Sequence, residues 1–288
     1  MKSKVYFCKD ISAEGVLKMY KQLDKTLSGR VAVKVHSGEE GNPNFLRPAF
    51  WQPVVDFVGG TVVECNTAYE GARNTTERHR ALFKKHGWSD LFPVDLLDAE
   101  GPDMVLEIPN GTVIKENFVG KGLANYDSAL VLSHFKGHPM GGFGGALKQL
   151  SIGFASAYGK RYIHGVGDPK NFWDRKQDRF LEAMADGAWS VVNYFNGNIA
   201  YINVMKNLSV DCDCCGATAK LPCMGDVGIL VSLDPVAIDQ ACVDLVYASA
   251  DPGKGDLIER MESRNGIHVL ETAEALGIGS REYELIGV

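Results

Sequence analysis

The sequence predicts an α/β fold: a mostly parallel sheet with helices on both faces. Three observations carry that prediction. Short β-rich runs alternate with helical stretches along most of the chain. Residues 129–133 are apolar without interruption, as in a strand covered on both faces. The 288 residues are 45% hydrophobic and 23% charged, so the chain can bury a large core without disulfides.

Residues 5–8 read as a strand and 13–27 as a helix, with Val16, Leu17, Tyr20 and Leu23 at helical spacing. Residues 31–35 are the next strand, 48–58 a helix and 61–65 a strand. Residues 75–86 are polar and helix-compatible, and 104–108 and 129–133 are strands. Residues 144–158 and 172–185 read as helices, and 199–204 and 228–233 as strands. Asp234 caps a helix that starts at Pro235, with Ile238, Cys242 and Leu245 on one face. A helix within 267–276 and a short strand near 283–286 complete the series. No repeat or Pro/Gly-rich linker divides the chain, so residues 1–288 read as a single α/β domain. Residues 165–210 are where a sub-division could fall.

The formal net charge of −6 gives no general attraction for phosphate backbones or anionic lipid. No dense Lys/Arg run appears, so nucleic acid is not an expected partner. The opening MKSKVYFCKD is too short in its apolar part for a signal-peptide core, and no stretch approaches a membrane span. The expected location is therefore cytoplasmic and away from membranes. Thiols stay reduced there, and clustered cysteines serve as ligands or catalysts.

Four of the seven cysteines fall in DCDCCGATAKLPC: Cys212, Cys214, Cys215 and Cys223. In an extended segment Cys212 and Cys214 project to one side, and Cys215 points away. Gly216 and Pro222 favour a turn that returns Cys223. Thiolates select soft or borderline centres, so an iron–sulfur cluster or zinc is expected. Cys242 is a further candidate, although its apolar helix face favours core packing. Cys8 and Cys65 read as small core hydrophobes.

The second constellation is SHFKGHPMGGFGGALKQLSIG, residues 133–153, which follows a buried strand and enters a helix. Gly144 and Gly145 permit close backbone approach, and free N–H groups at the helix start can hold an anion. His134 and His138 suit proton transfer near neutral pH. Lys136, Lys148 and, from the earlier strand, Lys34 suit a carboxylate or phosphate. No G-K-S/T follows the glycines, which excludes a Walker loop. His36 ends the strand of VAVKVHSGEEGNPNFLRP and is a weaker ligand-binding candidate. His79, His86 and His268 sit among charges or on helices and read as solvated surface. His164, in YIHGVGD, carries no assignment.

These segments, together with CDCCG, DVGILVSLDPVAIDQACVDLV and VAVKVHSGEEGN, resemble the family catalogued as domain of unknown function 362 over almost the whole chain. Members are commonly described as iron–sulfur proteins, which implies a cluster here. Longer members carry an inserted ferredoxin module. The corresponding stretch here, AYGKRYIHGVGDPKNFWDRK, has no cysteine. A metal centre must then come from Cys212, Cys214, Cys215 and Cys223, with Cys242 as the further candidate. A fainter likeness to the nickel-pincer lactate racemase family rests on His138, Gly144, Gly145 and Lys148. It implies that His138 and Lys148 serve a cofactor or acid–base chemistry.

Three functions follow. The first is a metal- or iron–sulfur-binding protein with a redox role and a redox partner protein. The second is an enzyme acting on a small anionic ligand held by residues 134–148, with His138, Lys148 and His134 as catalytic groups. The third is a non-catalytic module whose cysteines close around a structural zinc.

Overall fold

The computed structural model describes residues 2–101, 103–173 and 175–288. Strands in chain order are β1 (Ser3–Cys8), β2 (Val31–Lys34), β3 (Thr61–Glu64) and β4 (Val94–Leu96). There follow β5 (Met104–Glu107), β6 (Glu116–Val119), β7 (Ser128–His134), β8 (Lys136–His138) and β9 (Gly142–Gly144). The last three are β10 (Ile199–Met205), β11 (Gly228–Ser232) and β12 (Tyr283–Gly287). Eight of them build the main sheet in the order β12-β1-β11-β10-β7-β2-β3-β4. Only β11 runs antiparallel to its neighbours. The pairs β5–β6 and β8–β9 are separate two-stranded ribbons. The mostly parallel α/β architecture is as the sequence predicts.

Helices α1 (Ala13–Tyr20), α2 (Pro48–Val58), α3 (Thr76–Lys85) and α4 (Trp88–Leu91) precede β4. Helices α5 (Ala146–Phe154), α6 (Ala157–His164) and α7 (Gln177–Phe195) lie between β9 and β10. Helices α8 (Pro235–Ala248), α9 (Lys254–Ser263) and α10 (His268–Ala275) follow β11. Strand alternation sorts the core into two layers. Val33, Leu130, Ile202 and Val231 pack with Val16, Trp51 and Val54 on one face. Ala32, Val131, Tyr201 and Leu230 face Leu150, Ala188 and Val236 on the other. Each fully buried large aliphatic side chain contributes about 1.5–3 kcal/mol. The same alternation turns Lys34, next to Val33, toward the face covered by α5.

The predicted helix over 144–158 is two helices. Helix α5 ends at Phe154, Ala155 is extended and pairs with Val119, and the Ser156 hydroxyl accepts from Gly159 N–H to start α6. The predicted helix over 13–27 stops at Tyr20, followed by a short 3-10 turn that ends at Asp24 in a left-handed conformation. The helix predicted over 172–185 starts at Gln177 and runs to Phe195, and Asp174 lies outside the described residues. The short β4, the ribbon strands β6, β8 and β9, and helix α9 carry too few periodic residues to be read from sequence.

The start of α5 is held from the side by α8. Ala146 and Leu147 N–H donate to the Asp239 carboxylate at 2.7 and 2.9 Å, and Asn203 Nδ2 donates to it at 2.6 Å. A Cβ on Gly145 would come within 2.3 Å of that carboxylate, so only glycine fits. The N–H groups expected to bind an anion are spent on Asp239. Burial raises the Asp239 carboxyl to about 6, against the hydrogen bonds that favour its charge. Asp239→Ala should leave those buried N–H groups unpaired and lower the unfolding free energy by roughly 2–4 kcal/mol. Urea denaturation measures this, and an unchanged midpoint would mean that the cap contributes nothing.

Candidate functional site

Strand β2 leads on to β3 on one side, while β7 leads toward β10 on the other. The carboxyl ends of β2 and β7 therefore flank a topological switch point, where open α/β sheets place ligands. Two loops close over it. After β2, Glu39 N–H donates to the Asp213 carbonyl at 2.9 Å, and Asn42 Nδ2 to the Cys212 carbonyl at 3.4 Å. Asn44 Nδ2 donates to the Lys220 carbonyl at 2.8 Å, and Gly137 N–H to Ser209 O at 2.8 Å. The cysteine loop is thereby fastened to both the β2 loop and the β8–β9 ribbon. A larger open groove of about 680 Å³, at the opposite edge beside Tyr6, Leu23 and Asp234, is lined by no cysteine or histidine.

Asp213, 1% exposed, anchors that loop. Its carboxylate meets His134 Nδ1 at 3.0 Å and Lys136 Nζ at 2.9 Å. Burial opposes its charge, but His134 and Lys136 hold the carboxyl well below the usual carboxylate range. His134 Nε2 also lies 2.5 Å from the Lys206 carbonyl, so both ring nitrogens face acceptors. His134 and Lys136 are thus committed to Asp213.

His138, Cys212 and Cys214 meet beside this anchor, with one ligand atom from each within 4.8 Å of the others. Lys148 Nζ lies 3.5 Å from Cys212 Sγ. Burial opposes ionisation of Cys212. Hydrogen bonding with Cys214, the charges of Lys148 and Lys136, and His138 outweigh it and hold the thiol well below its ordinary pKa. His138 Nδ1 accepts from Met140 and Gly141 N–H at 3.2 and 2.8 Å. In the neutral ring the proton is then on Nε2, and a metal bound there must displace it. Around a tetrahedral zinc, thiolate sulfurs sit roughly 3.8 Å apart, and the three ligand atoms here are all within 4.8 Å of one another.

The remaining cysteines are placed differently. Cys215 is half-buried and hydrogen-bonds with Cys214. Cys223 Sγ contacts Leu208 O at 3.3 Å, outside the three-residue group. Cys242 is fully buried in the core near Asn203. Cys8 is a core residue, as expected. Cys65 is equally buried but also lines the site cavity.

That cavity, about 70 Å³, adjoins the thiol group and is bounded by Lys34, His36, Arg73, Lys148, Lys160 and His164. Gly144 and Gly145 lie at the foot of α5 and are not among its lining residues. Behind the cavity, Glu64 meets His79 Nε2 at 2.7 Å and Arg73 at 3.5 Å, and Arg73 Nε meets Glu39 at 3.1 Å. His79 corrects the expectation of a solvated residue: it is fully buried, because its helix face turns onto Glu64 and Asn66. His86 is half-buried, stacked on Phe45 and bonded to Ser37 O. His268 remains partly exposed beside Glu182 and Glu271. Arg73, Lys160 and Glu64 carry no local motif, and only the end of β3 and the break before α6 bring them to the site.

Burial pushes His36, His79, His86 and His138 below the ordinary imidazole range, and His164 to about 3. These rings are neutral in the fold, whereas the unfolded chain protonates below about 6.5. Unfolding then takes up protons, so stability falls as pH drops from about 6.5. Denaturant midpoints should decline between pH 6.5 and 5, offset in part by Asp239, whose raised carboxyl takes up a proton in the fold near pH 6. A flat profile to pH 4.5 would contradict the neutral histidines. His164→Phe should flatten part of the decline.

Residues 31–244 match the family described as domain of unknown function, DUF362. No curated protein matches the chain. Among solved structures, the lactate racemase apoprotein from Thermoanaerobacterium thermosaccharolyticum is similar, with a TM-score of 0.50 and 13% identity. The likeness covers 84% of this chain and 56% of that one, and at such identity it speaks to the fold alone. The family match runs from β2 into α8 and takes in Lys34, His138, Lys148 and the whole cysteine loop. This chain belongs to the DUF362 family.

Proposed function

We propose that this protein holds a single soft or borderline metal ion at His138, Cys212 and Cys214 and uses it on a small ligand in the adjoining cavity. The observation that carries this reading is the meeting of three ligand atoms within 4.8 Å, from the β8–β9 ribbon and the cysteine loop. Two thiolates and one imidazole suit zinc and leave a fourth position for a ligand, the pattern of catalytic sites. An ion held there supplies Lewis acidity toward a ligand oxygen. Lys148 offsets thiolate charge, and Asp213 fixes the loop between the two cysteines. The similar structure is that of a lactate racemase, which is in keeping with a small acid as ligand.

An iron–sulfur cluster is usually held by four thiolates. Cys223 and Cys242 lie outside the group, which favours a mononuclear ion. A redox role is the second reading. It is favoured by the hydrogen bonding of Cys214 with both Cys212 and Cys215.

Metal and acid-labile sulfide analysis of anaerobically purified protein tests both. The first reading expects about one metal ion per chain, no sulfide, and thiolate-to-metal absorption after cobalt substitution. Cys212→Ser and Cys214→Ser should each cost more affinity than the roughly 10- to 100-fold of a lost supporting contact. Cys223→Ser should bind normally. Stoichiometric iron and sulfide, or equal damage from Cys223→Ser, would overturn it.

A further inference from the structure

We propose that Lys34 and Lys160 form a receptor for one small oxyanion, a carboxylate or a phosphate, in the cavity beside the Cys212 group. This deepens the metal-centre reading by naming its ligand class.

Lys34 is 2% exposed and Lys160 is 7% exposed, and both line the same cavity. Lys34 Nζ donates to the Val35 carbonyl, and Lys160 Nζ to the Ala155 carbonyl at 2.6 Å. Among the described residues neither forms an ion pair with a carboxylate. Of the nearby acids, Glu64 is engaged by His79, Arg73 and the Ser37 N–H, and Asp98, which acts on Lys160, accepts from the Asn66 and Ala157 N–H groups. An ammonium has three donors, so both lysines have donors to spare. Other cations of the site are already matched: Lys136 by Asp213, Arg73 by Glu39 and Glu64, and Lys148 by the Cys212 sulfur.

Burying a cation without a counter-charge is costly, and a well-packed apolar residue would be better tolerated. The fold nevertheless makes room for Lys34. A Cβ on Gly153 of α5 would come within 2.8 Å of Lys34 Cε. Burial also lowers the Lys34 ammonium to about 8, although Glu64 and Cys65 oppose that, while Lys160 and Arg73 reinforce it. Lys160 is lowered by burial in the same way. A bound anion would supply the missing charge. With about 70 Å³ of space, the cavity admits a few waters or one small oxyanion and is far below the size of a nucleotide site.

The test is thermal unfolding of the full chain with sodium phosphate, formate or acetate, each against sodium chloride at matched ionic strength. It is run on chelator-treated and on zinc-loaded protein, with metal content measured separately. We expect phosphate or a carboxylate to raise the Tm in both preparations, and the arm that responds identifies the source. Lys34→Met/Lys160→Met should unfold at a higher temperature than wild type without anion. It should also lose the anion response, equivalent to a roughly 10- to 100-fold weaker affinity. Two outcomes overturn the receptor: no oxyanion exceeds chloride on the wild type, or the double variant responds as the wild type does. A chain that binds no metal yet keeps the anion response would sink the metal reading alone.

Discussion

Asp213 ties the cysteine loop to the end of the central strand, and the geometry of the site depends on that bond. Its carboxylate, almost wholly buried, is shared by His134 at the end of β7 and Lys136 in the next ribbon. Its own carbonyl receives the Glu39 N–H from the loop after β2. One residue thus joins three segments that are distant in sequence. Cys212 and Cys214 flank it in the chain, so fixing Asp213 fixes both thiols. A buried carboxylate paired with Lys136 tolerates no removal of that partner, because the remaining charge would be stranded. The loop is held by electrostatics where its short 3-10 turn offers little packing of its own.

Charge is distributed around this anchor with one imbalance. Glu64 and Glu39 neutralise Arg73, Asp213 neutralises Lys136, and the Cys212 thiolate draws on Lys148. Lys34 and Lys160, which line the adjoining cavity, form no ion pair with a carboxylate among the described residues. The site therefore brings thiols that suit a metal and ammonium groups that suit an oxyanion to one cavity of about 70 Å³. A small acid held by the ammonium groups and polarised by the metal would use both. Asp239 supports this arrangement from outside by fixing the start of α5, the helix that carries Lys148.

Much of the architecture is legible in the sequence because local chemistry agrees with it. Pro48 opens α2 and Gly59 closes it in a left-handed conformation, so that helix falls at residues 48–58 as read. Asp234 and Pro235 start α8 for the same kind of reason. The family resemblance is likewise borne out by the match over residues 31–244. The break at Ala155 was not legible, since nothing apolar or polar in 144–158 interrupts a helical pattern. That break sends Lys160 and His164 to the cavity. Helical position and charged neighbours made His79 look solvated, but its partner Glu64 lies on a strand fifteen residues earlier. Pairings across the sheet, Asp213 with His134 among them, leave no periodic trace. The cysteine spacing marks the loop that carries Cys212 and Cys214, while the fold decides which thiols meet His138.

The central claim is that two sulfurs and one imidazole nitrogen share an ion. X-ray absorption at the metal edge of zinc-loaded, anaerobically prepared protein reads that shell directly. The account predicts two sulfur neighbours near 2.3 Å and two lighter neighbours near 2.0–2.1 Å, one of them showing imidazole scattering. A shell of four sulfurs, or one of light atoms alone, would contradict it.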